Sequence, residues 1–143
     1  MAQSDPEQGG SPLSNPKCRI LCVDDHFDTS EMLQVLLSDG DYEVQTAGSI
    51  AEAIERTGAG EFDLYVLDKR LPDGTGLDLC ETLNKLTPGV PCIFYSGDAY
   101  AIHRHQAFEA GATAYVPKPD IDVLIETVHK VLSDRECAAE AGA

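Results

Sequence analysis

Short apolar runs alternate along the chain with longer stretches in which apolar residues recur at helical spacing. Five runs have strand length: "CRILCV" (18–23), "YEVQTA" (42–47), "FDLYVL" (62–67), "PCIFYS" (91–96) and "TAYVPK" (113–118). Each precedes a candidate helix. The first, third and fourth runs are almost continuously apolar, as expected of strands covered on both faces, whereas the second, with Glu43 and Gln45, is expected at an edge. The first helix is predicted to begin near residues 27–29, to turn Met32, Val35, Leu36 and Leu37 towards a core, and to stop at Gly40. Ser49 is a predicted N-cap for "IAEAIERTG", with Glu52 completing a capping box. Leu77, Leu79, Cys80, Leu83 and Leu86 mark a third helix that ends at Pro88 and Gly89, and residues 101–110 form a short fourth. "DIDVLIETVHKVLSDR" places Ile121, Leu124, Ile125, Val128, Val131 and Leu132 on one stripe and is the clearest helix. Five strands alternating with five helices predict the α/β class, with a doubly wound, five-stranded, mostly parallel sheet covered on both faces. The alternation leaves the order of the strands open.

With 143 residues the chain has room for one domain. Residues 1–16, rich in Pro, Gly and Ser, are expected to form a flexible tail; residues 17–134 the folded domain; and residues 135–143 a frayed end. Twenty-five acidic against ten basic side chains give a net charge of −15, a field that repels phosphate backbones and anionic lipid. Nucleic acid and membrane are therefore not expected as partners. The sequence has no basic-then-apolar leader and no apolar run approaching the ~18 residues of a membrane span, so a cytoplasmic location is expected. The cysteines are odd in number, Cys18, Cys22, Cys80, Cys92 and Cys137, and three of them lie in or beside strand runs. Buried free thiols are expected rather than a disulfide framework. Cys18 and Cys22, with no CxxC partner and no paired His, make a poor zinc site.

In open α/β sheets ligands bind beyond the carboxyl ends of the strands. The first run ends in Asp24 and Asp25, the third in Asp68, the fourth in Ser96 and Gly97, and the fifth in Lys118 and Pro119. Each alone has a bland explanation: an Asp capping a turn or helix, a satisfied hydroxyl, a solvated lysine. Their coincidence at one sheet edge describes a site instead. Three neighbouring carboxylates need raised pKa values or a shared cation, and hard oxygen donors with room for water and phosphate suit Mg²⁺. A divalent cation on one side, with Lys118 and Ser96 on the other, is shaped for a phosphoryl group. Asp68, central in the set, is the group to receive it as an acyl phosphate.

The motifs "VDD", "LDKRLPDGTG", "YSG" and "YVPKP" together resemble the receiver domain of two-component response regulators, over about residues 17–133. The resemblance implies a flavodoxin-like (βα)5 fold with strand order 2-1-3-4-5, in which Asp68 is the phosphoacceptor, taking its phosphoryl group from a phosphohistidine. It implies Mg²⁺ held directly by Asp25 and Asp68, through water by Asp24, and by the main-chain carbonyl of Arg70. Ser96 is implied as the hydroxyl that moves to the phosphoryl oxygen, Lys118 as the site lysine, and Tyr115 as the aromatic that rotates inward. A cis Lys118–Pro119 bond is implied as well. Lys69 and Arg70 depart from the common pattern by placing two cations after the acceptor, where they would modulate phosphoryl lifetime and donor preference. Asp98, two residues after Ser96, would orient a water or pair with Lys69 or Arg70. Pro117 and Asp120 are unusual neighbours of Lys118, and His103 and His105 are expected as exposed side chains.

The function implied is a stand-alone receiver, a switch without an output domain that catalyses at most its own phosphorylation and dephosphorylation. Its donor would be a histidine kinase or phosphotransfer protein. Its readout would be a protein bound by the face of the fourth helix, fifth strand and fifth helix. A phosphatase of the haloacid dehalogenase type also uses an Asp nucleophile, Mg²⁺ and Lys, but there the nucleophile follows the first strand with an acid two residues on. Here Asp68 follows the third run, and Arg70 stands two residues on. A degenerate receiver acting only as a binding module is the remaining alternative.

Overall fold

In the computed structural model, which describes residues 18–38, 42–97 and 101–134, the apolar runs become five strands and the amphipathic stretches five helices. The elements are β1 (Cys18–Val23), α1 (Phe27–Ser38), β2 (Tyr42–Ala47), α2 (Ile50–Ala59), β3 (Leu64–Leu67), α3 (Gly76–Leu86), β4 (Cys92–Ser96), α4 (Ala101–Glu109), β5 (Ala114–Pro117) and α5 (Ile121–Ser133). A two-residue antiparallel ladder, Arg70–Leu71 against Gly74–Thr75, separates β3 from α3. The sheet order is β2-β1-β3-β4-β5 with every neighbour parallel, the doubly wound order that the resemblance implied. The expected tails at 1–16 and 135–143, the helix stop at Gly40, and Asp98 lie outside the described residues.

The central strands read as unbroken apolar runs because both of their faces are buried. On one face Leu21, Val23, Tyr65, Leu67 and Phe94 pack with Leu79 and Leu83 of α3. On the other, Ile20, Cys22, Leu64, Val66 and Ile93 pack with Leu33 and Leu37 of α1 and with Leu124, Val128 and Leu132 of α5. Strand β2 lies at the edge, as its polar residues predicted, with Tyr42 and Val44 buried and Glu43 exposed. The third strand begins later than its apolar run. Phe62 and Asp63 precede it, and the Asp63 carboxylate accepts the Arg19 amide at 2.8 Å, tying this entry to β1.

One helix face differs from expectation. In α1 the buried residues are Ser30, Leu33 and Leu37, whereas Met32, Val35 and Leu36 are 38, 65 and 41% exposed. A helix can turn only one stripe of 3.6-residue period inward, and the stripe through Leu33 and Leu37 leaves the other three on the outside. Ser49 caps α2 as predicted, its hydroxyl accepting the Glu52 amide at 3.1 Å, while the Glu52 carboxylate accepts the Gly48 amide at 2.8 Å. A second cap comes from far along the chain. Asp73, in the ladder turn, accepts the amides of Ile50 and Ala51 at 2.9 and 3.0 Å, and these bonds draw its carboxyl below its ordinary value.

Cys22, Cys80 and Cys92 are free and buried, as expected, but Cys18 is disulfide-bonded. Unlike Cys22, it is only partly buried, at the first position of β1, at the margin of the core cluster. Among the described residues no helix is long and apolar enough to cross a membrane.

Candidate functional site

The parallel ladders run one residue past the strands and so fix the acids that follow them. The Asp24 amide donates to the Ala47 carbonyl at 3.0 Å, and the Asp68 amide donates to the Val23 carbonyl at 2.9 Å. Asp24 and Asp68 are thereby planted side by side, each 5% exposed. The Ser30 hydroxyl of α1 donates to the Asp24 carbonyl at 3.1 Å, securing the turn from outside. Asp25 faces solvent. Ser96 ends β4 fully buried, and the Lys118 amide donates to its carbonyl at 2.7 Å, bringing the last strand's cation to the same edge. The Lys118–Pro119 peptide is cis, as the resemblance implied.

Lys118 reaches across the sheet edge. Its ammonium lies 2.7 Å from Asp24 Oδ2 and 3.5 Å from Asp68 Oδ2. Burial opposes this charge, but the hydrogen bond to Asp24 and the negative charges of Asp24 and Asp68 outweigh it and raise the lysine's pKa. For Asp68 the balance goes the other way. Burial, then the charge of Asp24, push its carboxyl above the ordinary value; Lys118, the Lys69 amide donating to Oδ1 at 2.8 Å, and the Ser96 hydroxyl only partly offset this. A carboxylate held ionised against desolvation gains from any further cation that shares it.

His26 completes the cluster. Its Nδ1 lies 2.9 Å from Asp24 Oδ1, 3.3 Å from Asp25 Oδ1 and 3.9 Å from Asp68 Oδ2. The hydrogen bond to Asp24, with the charges of Asp24 and Asp25 added, raises its pKa. One ligand atom from each of Asp24, Asp25, His26 and Asp68 falls within 4.8 Å of the others, so these side chains can share a divalent cation.

Of the residues singled out in the sequence, Asp24, Asp68, Ser96 and Lys118 meet through direct hydrogen bonds or ion pairs, with Asp25 at their margin. Arg70 begins the ladder opposite Thr75, its side chain exposed. Tyr115 is buried, its ring near-parallel to Phe94 at 6.3 Å between centroids, with the Arg104 guanidinium 5.5 Å above it. The Lys69 side chain turns to α4: it is 9% exposed, and its ammonium meets His103 Nδ1 and, at 2.9 Å, Gln106 Oε1. The expectation that His103 is an exposed side chain is therefore corrected, because Lys69 leaves the loop after Asp68 pointing at α4 and needs partners there. His105 is exposed and pairs with Glu109 at 3.2 Å. Two features escaped the sequence reading, the Lys69 link to α4 and the place of His26. For His26 a signal was present, a potential ligand immediately after Asp24 and Asp25.

Gly76 sets the return path of the loop. Its amide donates to the Lys69 carbonyl at 2.7 Å, and a Cβ on it would lie 2.1 Å from the Asp68 carbonyl oxygen. Only a residue without a side chain lets α3 begin this close to the Asp68 main chain. The whole arrangement presents a buried carboxylate, hard oxygen donors able to share a cation on one side, and an ammonium and hydroxyl on the other.

Comparison with known proteins agrees with this geometry. The family model described as response regulator receiver domain matches residues 20–143. The chain is 34% identical over 123 residues to the response regulator protein PilR of Pseudomonas aeruginosa, covering 85% of this chain and 28% of PilR. The curated relatives it matches are longer, and it spans between 24 and 50% of their lengths. Among solved structures it is similar to the non-phosphorylated HemR receiver domain of Leptospira biflexa, with TM-score 0.76, 38% identity, and 82 and 95% of the two chains covered. It is also similar to the response regulator TrrA of Thermotoga maritima in complex with Mg²⁺–BeF, with TM-score 0.72, 33% identity, and 80 and 99% covered.

Proposed function

The chain belongs to the response regulator receiver family, and from that premise we propose that Asp68 accepts a phosphoryl group from a phosphohistidine of a histidine kinase or phosphotransfer protein, in a Mg²⁺-dependent reaction. The observation that carries the proposal is the juxtaposition of Asp68 with Lys118, Ser96 and the Asp24–Asp25 pair at one sheet edge. An Asp68 carboxylate oxygen attacks phosphorus in line with the bond to the donor imidazole, which leaves as that bond breaks. Lys118 binds the phosphoryl oxygens as a compact cation, and the Ser96 hydroxyl donates to one of them. Hard oxygen donors suit Mg²⁺, with Asp25, Asp68 and the Arg70 main-chain carbonyl as its ligands and Asp24 acting through water. When bound, Mg²⁺ supplies positive charge that offsets the repulsion between carboxylates and phosphoryl oxygens. The Mg²⁺–BeF complex of TrrA supports this assignment. The phosphoryl group draws Ser96 towards it and biases the packing of Tyr115 and of the α4–β5–α5 face, where a protein target reads the state.

Incubation with Mg²⁺ and a small acyl phosphate should add one phosphoryl group by intact mass, labile in base. No adduct from that donor, nor from a panel of histidine kinases, would remove the proposal. Asp25→Ala should abolish the Mg²⁺-dependent labelling, and retained labelling would mean that the acidic pair does not hold the cation.

Met32, Val35 and Leu36 line a groove with Asp28 and Glu31 on the outer side of α1, the helix that follows Asp24 and Asp25, and exposed apolar surface of this kind marks a protein contact. A donor protein approaching Asp68 from this side would cover it. Val35→Asp should slow transfer from the cognate kinase about tenfold while leaving labelling by the small acyl phosphate unchanged, as loss of roughly 1.4 kcal/mol of docking energy requires. Equal rates from the kinase would place its contact elsewhere.

A further inference from the structure

Resting on the assignment of a divalent-cation site, we propose that His26 is an additional ligand which makes that site take a first-row transition ion, of the Co²⁺ or Zn²⁺ kind, in competition with Mg²⁺. The separations are those a coordination sphere needs. Around an ion with ligand bonds near 2.1 Å, adjacent ligands stand about 3.0 Å apart and opposite ones about 4.2 Å. The His26 nitrogen stands 2.9, 3.3 and 3.9 Å from single oxygens of Asp24, Asp25 and Asp68. A contraction of roughly 0.6 Å would bring the set, now within 4.8 Å, onto one ion, with Asp24, which reaches Mg²⁺ through water, drawn into direct contact. The Asp24 Oδ1 atom also accepts the His26 amide at 2.8 Å, so the main chain itself holds residue 26 against the carboxylates. The His26 ring is 67% exposed, free to rotate a few degrees without disturbing the core.

Donor chemistry decides the ion. Three carboxylates alone favour Mg²⁺, whereas adding an imidazole nitrogen shifts preference along the series towards cobalt, nickel and zinc. In the ion's absence the Nδ1 proton is donated to Asp24. On ligation the metal–nitrogen bond replaces that N–H···O bond, and the Nδ1 proton passes to solvent from an imidazolium or is exchanged for one on Nε2 in a neutral ring. At Asp24 the two cations use different oxygens, His26 facing Oδ1 and Lys118 Oδ2, whereas Asp68 Oδ2 lies between the ammonium at 3.5 Å and the ring nitrogen at 3.9 Å and would be shared.

The test is titration of the tag-free protein with CoCl₂ and, separately, MgCl₂, with dissociation constants from calorimetry and the cobalt d–d absorption read in parallel. A Mn²⁺-loaded sample read by electron spin echo shows the ¹⁴N modulation of a bound imidazole. His26→Asn should weaken Co²⁺ by about tenfold or more, on the scale of losing one metal-site group. It should shift Mg²⁺ by less than twofold and remove the ¹⁴N modulation. Asp25→Asn should remove both ions, which identifies the signal with this site rather than with His103, His105 or His129. Co²⁺ and Mg²⁺ affinities that change in parallel in His26→Asn, or a wild type without ¹⁴N modulation, would overturn the inference while leaving the Mg²⁺ site in place. Failure of the wild type to bind either ion would overturn the cation site and the inference together.

Discussion

Asp68→Asn should lose all phosphoryl uptake and at the same time make the protein harder to unfold at neutral pH in the absence of divalent cation. The first effect follows from removing the nucleophile: an amide forms no acyl phosphate under these conditions, so the intact-mass adduct should vanish from every donor. The second follows from the electrostatics of the site. Burial and the neighbouring Asp24 charge hold the Asp68 carboxyl above its ordinary value of 3.8. The native state therefore binds this proton more tightly than the unfolded chain does. The resulting stabilisation is fully present below 3.8 and is lost as pH rises through the raised native value, so at pH 7 the ionised carboxylate is a net burden. An asparagine carries no such burden. It can still accept the Lys69 amide, and Lys118 keeps its 2.7 Å partner in Asp24. Thermal unfolding followed from pH 3.5 to 7.5 should show the two proteins converging at the acid end, with the variant ahead at pH 7. Adding Mg²⁺ should favour the wild type, by about 2.7 kcal/mol at a hundredfold excess over its dissociation constant. A variant that melts below the wild type at pH 7 without metal would show that Asp68 is stabilised, not strained, by its surroundings.

Gly76→Ala should be among the most damaging single changes outside the reacting groups. The added methyl would sit 2.1 Å from the Asp68 carbonyl oxygen and 3.1 Å from the Lys69 Cα, main-chain atoms that cannot rotate away. Either α3 moves off the sheet or the acceptor loop does. Overpacking of this kind costs about 3 kcal/mol, and displacement of the acceptor by as little as ~1 Å would slow phosphoryl transfer by roughly a hundredfold. Denaturant unfolding and the acyl phosphate labelling rate measure the two effects separately. Gly58→Ala is the matched control. It lies exposed in α2 with nothing within 4 Å of an added Cβ, so it should gain up to about 1 kcal/mol from helix propensity alone. A Gly76→Ala protein with wild-type stability and labelling would mean that the loop can give way.

The edge chemistry was legible in the sequence because parallel sheets announce themselves twice. Buried strands read as unbroken apolar runs, and the residues that end them share one edge by construction, so Asp24, Asp68, Ser96 and Lys118 could be grouped before any coordinates. The strand order came from the resemblance, since nothing local to a strand records which neighbour it pairs with. What escaped were facts of rotation and reach. Met32, Val35 and Leu36 are apolar like Leu33 and Leu37, and only packing against β1 and β2 chooses between the two stripes. Lys69 carries a long flexible stem whose partner, α4, is more than thirty residues away. His26 was passed over because a histidine beside two acids reads first as a turn, and its ring nitrogen declares itself only through its distances to three carboxylates.

The loop after Asp68 is stapled in two directions, by Asp73 to the first amides of α2 and by Lys69 to α4, with Gly76 leaving no slack between them. For anyone wishing to split, permute or graft this domain, the molecule therefore has a stiff rim and a permissive one. A new terminus or an inserted sensor peptide between residues 69 and 76 would sever both staples. The opposite rim offers Pro88 and Gly89, exposed in the turn from α3 to β4, where Gly89 already adopts a positive φ of 90° and no side chain would be displaced. An insertion there interrupts one short turn and leaves the chemistry untouched.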